Sequence, residues 1–209
     1  MSKEENVVRY YVLCNKLKNV IRTGWIDWRV KKERIESVAE HIYGVQMLAI
    51  AMYSEYKYDI DILKVIYMLA IHELEEIYIG DITYFQMSKE EKQKLGHEAI
   101  IKVLGNLSDK EKIKAIIHEF DERKTKEAIF AYYCDKLEAD LQSKIYDLEG
   151  CVDINNQKGN ATYNDDKVQR LLKEEKTFSG MWLLNSQEKY NYDENFLKVS
   201  NYVLRNDSD

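Results

Sequence analysis

An all-helical fold is predicted for this chain, and three observations carry the prediction. There is no proline and there are only eight glycines in 209 residues, so helix breakers are scarce. Apolar residues recur at three- and four-residue intervals through most of the sequence. Serine followed three places later by glutamate, the pattern of a helix-opening capping box, occurs ahead of several of these stretches.

Taken in order, Val8, Tyr11, Val12 and Leu17 predict an amphipathic first helix from Glu5 to Val20. RTGWIDWRV reads as an irregular connection. Ser37 with Glu40 then opens a helix from Val38 to Tyr56, which places His41 in its first turn. Asp61 is the expected N-cap of ILKVIYMLAIHELEEIYI, a continuous central helix buried on most sides and ended by Gly80.

Ser88 with Glu91, and Ser108 with Glu111, predict two further helices. KTKEAIFAYYCDKLEADLQSKIYDL follows as one long helix with Ile129, Tyr133, Leu137 and Leu141 on its interior face and Asp135 close to that stripe. From Glu149 to Asp166 the Gly, Asn and Asp content without periodicity reads as a loop, and from about Lys167 to Leu204 helices return to pack on the body. A chain of this length fits one domain spanning 1–209.

Composition narrows the function. Net charge is −6, from 31 basic and 37 acidic side chains, and the basic residues are interspersed with acids rather than gathered in a stripe, which argues against a nucleic-acid partner. With no run of about 18 apolar residues and acids near the start, neither a membrane span nor a signal peptide is expected, and a cytoplasmic location fits. Cys14, Cys134 and Cys151 have no metal-ribbon spacing and read as reduced thiols. No glycine-rich phosphate loop is present, so phosphate recognition would fall to a metal and arginines.

The chemistry concentrates in AIHELEEIYIGDIT, from Ala70 to Thr83, with His41 upstream and Asp135 downstream. His41, His72, Glu73 and Asp135 supply two imidazoles and two carboxylates, a donor set suited to a divalent ion that keeps positions open for water and substrate. On a continuous helix Glu76 would share a face with His72, within reach of a proton-transfer role, and Asp81 after the helix stop could orient or deprotonate a water. Singly, each residue has an ordinary reading: a histidine on an apolar face is more often a hydrogen-bonded core residue, and Asp81 could be turn chemistry. The acidic cluster beside a histidine in the most apolar helix is harder to set aside, because burying unpaired carboxylates is costly. His97 and His118 lie in charged contexts and read as surface residues. Trp25 and Trp28 read either as a core anchor or as a substrate-binding wall.

In their order and spacing, RTGWIDWRV, ESVAEHIYGV, IHELEEIYIGDIT and CDKLEAD resemble the HD-domain 5'-deoxynucleotidase family of metal-dependent phosphohydrolases, from about Asn15 to Asp147. The resemblance implies an HD-domain helical bundle, often a homodimer. It also implies use of Co2+ or Mn2+, with Mg2+, Zn2+, Fe2+ or Ni2+ as alternatives, to release phosphate from deoxynucleoside 5'-monophosphates. Carried over, His41, His72 and Asp135 match metal ligands, with Glu73 in the second place of the defining pair; Glu76 and Asp81 match the catalytic acids. Arg22 matches the phosphate-binding arginine with Trp25 nearby, and Arg29 is a second candidate. Two departures stand out. Glu73 stands where the family has aspartate and carries its carboxylate roughly one C–C bond, ~1.5 Å, farther from the backbone. After Asp81 the chain reads ITYF, where Tyr84 would narrow the substrate pocket. A degenerate HD protein that binds a nucleotide or partner without hydrolysis, and an HD phosphohydrolase for another nucleotide, are the competing readings.

Overall fold

The computed structural model describes residues 2–83 and 86–206 and is all-helical; among these residues the one β-type pairing is an isolated bridge between Ile21 and Ser37. Tyr84 lies outside the described residues. In chain order the helices are α1 (Lys3–Cys14), a 3-10 turn (Asn15–Asn19), α2 (Thr23–Asp27), α3 (Val38–Tyr56), α4 (Ile62–Ile71), α5 (Glu76–Ile79), α6 (Lys89–Leu104), α7 (Lys110–Glu122), α8 (Lys126–Leu148), α9 (Asp166–Glu174), α10 (Phe178–Lys189) and α11 (Glu194–Arg205).

Capping chemistry sets most of these starts. Ser37 accepts from the Glu40 amide while Glu40 reaches back to the Ser37 amide, and Ser88 with Glu91 does the same at α6, so two of the three predicted boxes are present. Asp61 caps α4 by accepting from the Lys64 amide. The box expected at Ser108 does not form: α7 starts at Lys110, and the Asp109 carboxylate turns instead to the Lys112 ammonium at 3.0 Å.

At 23 residues, about 35 Å, α8 is the axis of the molecule. It packs against α3, α4, α7, α10 and α11. Val45, Ala49, Val65, Met68, Leu69, Phe130, Leu137 and Phe196 form the main core along it, where full burial of each large apolar side chain contributes about 1.5–3 kcal/mol. A second cluster joins Leu17, Val38 and Leu74 to α6 and α7, and a third joins Trp25, Trp28, Tyr146 and Phe178. The buried face of α8 is broader than the expected stripe. Of the four predicted residues only Leu137 is fully buried, while Asp135, Glu138, Asp140 and Ser143 are buried with it, because the helix is wrapped on several sides.

Two expectations are corrected elsewhere, and the expected loop after Glu149 is present. The first helix gives way to a 3-10 turn at Asn15, and Val8, Tyr11 and Val12 stay exposed; Leu17 alone of that stripe enters the core. Arg9 ties α1 down through the carbonyls of Lys102 and Val103. The central helix is interrupted at His72 and resumes at Glu76, with Gly80 (φ +74) closing the segment as predicted. The loop after Glu149 is stapled down: Gln157 is buried and donates to the Trp28 carbonyl at 3.0 Å, and Arg29 binds the carbonyls of Asn156 and Lys158.

Candidate metal centre

Between Ile71 and Tyr78 the backbone bonds tighten to three-residue steps, Leu74 to Ile71, Glu76 to Glu73 and Tyr78 to Glu75. This turn brings two adjacent side chains toward one point, which a regular helix, with about 100° between neighbours, would oppose. His72 is 4% exposed, and its Nδ1 lies 2.7 Å from the Leu69 carbonyl oxygen. A carbonyl can only accept, so Nδ1 carries the proton and Nε2 presents its lone pair. That Nε2 is buried with no hydrogen-bond partner. Its nearest carboxylate is Glu73 Oε1 at 3.6 Å.

His41, on the first turns of α3, is wholly buried, with Nε2 3.1 Å from Asp135 Oδ1 and Nδ1 2.5 Å from Glu138 Oε2. Burial first, then the charge of Arg22, pulls its imidazole down to about 3, so the ring is neutral at any ordinary pH, the form a metal would require. Donor atoms of His41, His72, Glu73 and Asp135 all lie within 4.8 Å of one another. Ligands at about 2.0–2.3 Å from one ion span up to about 4.5 Å, so these four could hold a divalent metal, and the orphaned Nε2 of His72 is the atom that asks for it.

Around this cluster stand the other predicted residues. Arg22 caps the start of α2; burial pulls its guanidinium down, and the carboxylates of Asp81, Glu73, Glu76 and Asp135 together outweigh that and hold it charged. Asp81 Oδ2 accepts the Thr23 amide at 2.6 Å, and the Asp81 carbonyl accepts the Thr23 hydroxyl, so the arginine and aspartate are pinned through one residue. Glu76 is 1% exposed with Oε2 unpartnered. Burial, followed by Glu73 and Asp81, pushes its carboxyl well above the usual range.

Two residues fall elsewhere. Trp25 is 1% exposed in the third core cluster, with its indole N–H donating to Glu36 Oε2 at 2.6 Å; it is a core anchor and does not wall an open site. Arg29 is committed to the loop carbonyls, leaving Arg22 as the arginine at the cluster. His97 and His118 are exposed, as their contexts predicted.

A domain model described as HD domain matches residues 14–175, most of the chain. The chain belongs to the HD-domain family. Two curated HD relatives are each named 5'-deoxynucleotidase HDDC2. The one from Dictyostelium discoideum is 34% identical over 69% of this chain and 79% of its own. The one from Danio rerio is 30% identical over 70% and 72%. Among solved structures, a conserved hypothetical protein from Pyrococcus furiosus superposes with a TM-score of 0.68 at 22% identity, covering 95% of this chain and 99% of that one. A predicted metal-dependent phosphohydrolase from Magnetospirillum magnetotacticum gives 0.66 at 18%, covering 98% and 92%. At these identities the two structures speak for the fold.

Four further residues beside the candidate cluster escaped sequence reasoning. Lys136 Nζ lies 2.7 Å from Asp135 Oδ2, and Lys92 Nζ lies 3.7 Å from Glu76 Oε1 while donating to the Ile82 carbonyl. Glu138 and Glu36, both buried, sit behind His41. The spacing Asp135 to Glu138 on one helix was the available signal for Glu138; nothing local marks Lys92 or Glu36.

Proposed function

We propose that this HD protein is a metal-dependent phosphomonoesterase that removes phosphate from deoxynucleoside 5'-monophosphates. The observation that carries the reading is the convergence of four nitrogen and oxygen donors, one an orphaned buried imidazole nitrogen, beside Arg22, Glu76 and Asp81. The substrate class follows the names of the curated HD relatives.

A divalent ion on His41, His72, Glu73 and Asp135, Mn2+ or Co2+ as the family resemblance implies, would acidify a water and polarise the phosphoryl group. Arg22 neutralises phosphate charge from a position fixed by Asp81 and Thr23, and Lys136 supplies a second positive charge beside Asp135. Glu76, held protonated by burial and by its acidic neighbours, donates its proton to the leaving 5'-oxygen. Asp81 orients the attacking water. A cavity of about 360 Å³ lined by Ile26, Asp27, Arg29, Thr83, Gln86 and residues 159–162 begins two residues along the chain from Asp81, and we assign it to the nucleoside.

Among the described residues no helix is long and apolar enough to cross a membrane. We place the protein in the cytoplasm as a homodimer, in which the exposed Val7, Val8, Tyr11 and Val12 of α1 would be covered. The competing reading, a nucleotide-binding relative without turnover, is motivated by Glu73 alone. Phosphate release from a panel of nucleoside 5'-monophosphates by wild type and His72→Ala separates the two. Turnover lost in the variant is expected; equal turnover and equal metal content in both would remove the proposed site.

A further inference from the structure

We infer that Glu138 is a positioning residue of the metal centre, holding His41 in the tautomer and orientation an ion requires, and that Gly44 is glycine because the Glu138 carboxylate fills the space a side chain would occupy. The inference rests on His41 being a ligand and goes beyond it to the residues that make it one.

Three independent observations converge. The first is the hydrogen bond. For Nε2 of His41 to offer a lone pair on the side of Asp135, the ring proton must sit on Nδ1, and the atom facing Nδ1 is Glu138 Oε2 at 2.5 Å. Asp135 and Glu138 are three residues apart on α8, so one helix face presents both a ligand and the brace for another ligand.

The second is Gly44, one helical turn after His41 on α3. Its φ is ordinary for a helix, so the backbone does not call for glycine there. A Cβ at this position would collide with Glu138 Oε1 and come within 3.2 Å of Cδ and 3.3 Å of Cγ. Glycine within a helix is less favourable than alanine, and here that cost opens the slot in which the carboxylate lies against His41.

The third is the clamp behind. Behind Glu138 stands Glu36, with a carboxylate oxygen within 4.8 Å of one of Glu138's. It is itself fixed by the Trp25 indole N–H at 2.6 Å and by its own backbone N–H donating to the Tyr146 hydroxyl at 3.0 Å. Trp25, Glu36 and Glu138 thus form a continuous buried line from the third core cluster to His41, which gives the buried tryptophan of the sequence motif a role at one remove from the site.

The same groups admit another arrangement, since donor atoms of Glu36, His41 and Glu138 also lie within 4.8 Å of one another and could hold an ion of their own. The test therefore counts ions as well as measuring affinity. Co2+ would be titrated into metal-stripped wild type, Glu138→Ala, Glu138→Gln and Gly44→Ala, with the dissociation constant and stoichiometry read from the cobalt absorption and folding checked by circular dichroism. One ion per chain is expected in wild type. Glu138→Ala should bind about 10- to 100-fold more weakly, Gly44→Ala should weaken binding by about tenfold, and Glu138→Gln, whose amide oxygen still accepts the Nδ1–H, should stay within about threefold of wild type. Wild-type affinity in folded Glu138→Ala or Gly44→Ala would overturn the inference, as would a glutamine variant as weak as alanine. Two ions per wild-type chain would overturn it in favour of the second cluster. Should Glu138→Ala fail to fold, Gly44→Ala against Glu138→Gln decides. If wild type binds no ion, the metal reading itself fails, an outcome distinct from all of these.

Discussion

His72 Nδ1 and the Leu69 carbonyl oxygen, three residues back along the same helix, lie 2.7 Å apart, and this bond leaves His72 Nε2 buried without a partner. The orientation is set before any ion arrives, so little reorganisation is needed on binding. His72→Ala is therefore expected to lose metal outright while retaining its helices. Metal analysis after dialysis, with circular dichroism alongside, checks this.

Glu73 gives a sharper prediction. The tightened turn from Ile71 to Tyr78 already places the longer glutamate carboxylate within the cluster. Glu73→Asp, which restores the family's usual pair, retracts that carboxylate by ~1.5 Å and is expected to weaken metal binding about tenfold, a loss of about 1.4 kcal/mol. Tighter binding in the aspartate variant would show that the turn is not adapted to glutamate.

Glu76 is raised well above the usual carboxylate range, first by burial and then by Glu73 and Asp81. As a proton donor it works in the protonated form, so kcat should decline as pH rises through its raised pKa. Glu76→Gln should lower kcat by about 10²- to 10⁴-fold and leave metal binding intact. A kcat that climbs steadily with pH in wild type would instead assign Glu76 as a base.

Arg22 and Arg29 should part company in kinetics. Arg22 faces the carboxylates of the cluster, whereas Arg29, with φ +55, is spent on the loop carbonyls of Asn156 and Lys158. Arg22→Ala is expected to reduce kcat/KM by about 100-fold or more, in the range seen when a stabilising donor is removed. Arg29→Ala should mainly lower the melting temperature. Steady-state kinetics on both variants tests the contrast.

Much of this was legible in the sequence, for identifiable reasons. Ser37 with Glu40 and Ser88 with Glu91 form the expected boxes because capping is a local interaction among four residues. His41, His72, Glu73 and Asp135 could be grouped because an acidic cluster beside a histidine in the most apolar helix is costly to bury unpaired, and together they make a donor set suited to one ion. What was hidden depends on tertiary contacts. At the break His72 packs edge-on against Phe120, and Leu74 and Ile77 enter the second core cluster, contacts that periodicity does not register. Trp25 shows no sign in sequence of whether it walls a site or braces Glu36, and Glu36 and Glu138, brought together behind His41, are about a hundred positions apart. Ser108 matched the box pattern, yet Asp109 took the N-cap position without making the bond.

Asp140 is expected to give stability a dependence on pH. It is wholly buried on α8, accepts the Ser186 hydroxyl at 2.7 Å, and burial pushes its carboxyl well above 3.8. Because the folded-state pKa is the higher one, its contribution is complete below the ordinary carboxylate range and is lost as pH rises toward the raised value, at about 1.4 kcal/mol per pH unit. Asp140→Asn, neutral throughout, should flatten the loss by one group's share. Urea unfolding of both proteins between about pH 5 and pH 8 measures it; parallel curves would contradict the assignment.

The most direct test of the central claim is phosphate release from deoxynucleoside 5'-monophosphates by metal-stripped wild type, with Mn2+, Co2+ or nothing added back. The account predicts no release from the stripped protein and restored turnover with either ion, through the four donors around His72 Nε2. Folded protein that binds the ion and releases no phosphate from any of these nucleotides would contradict it.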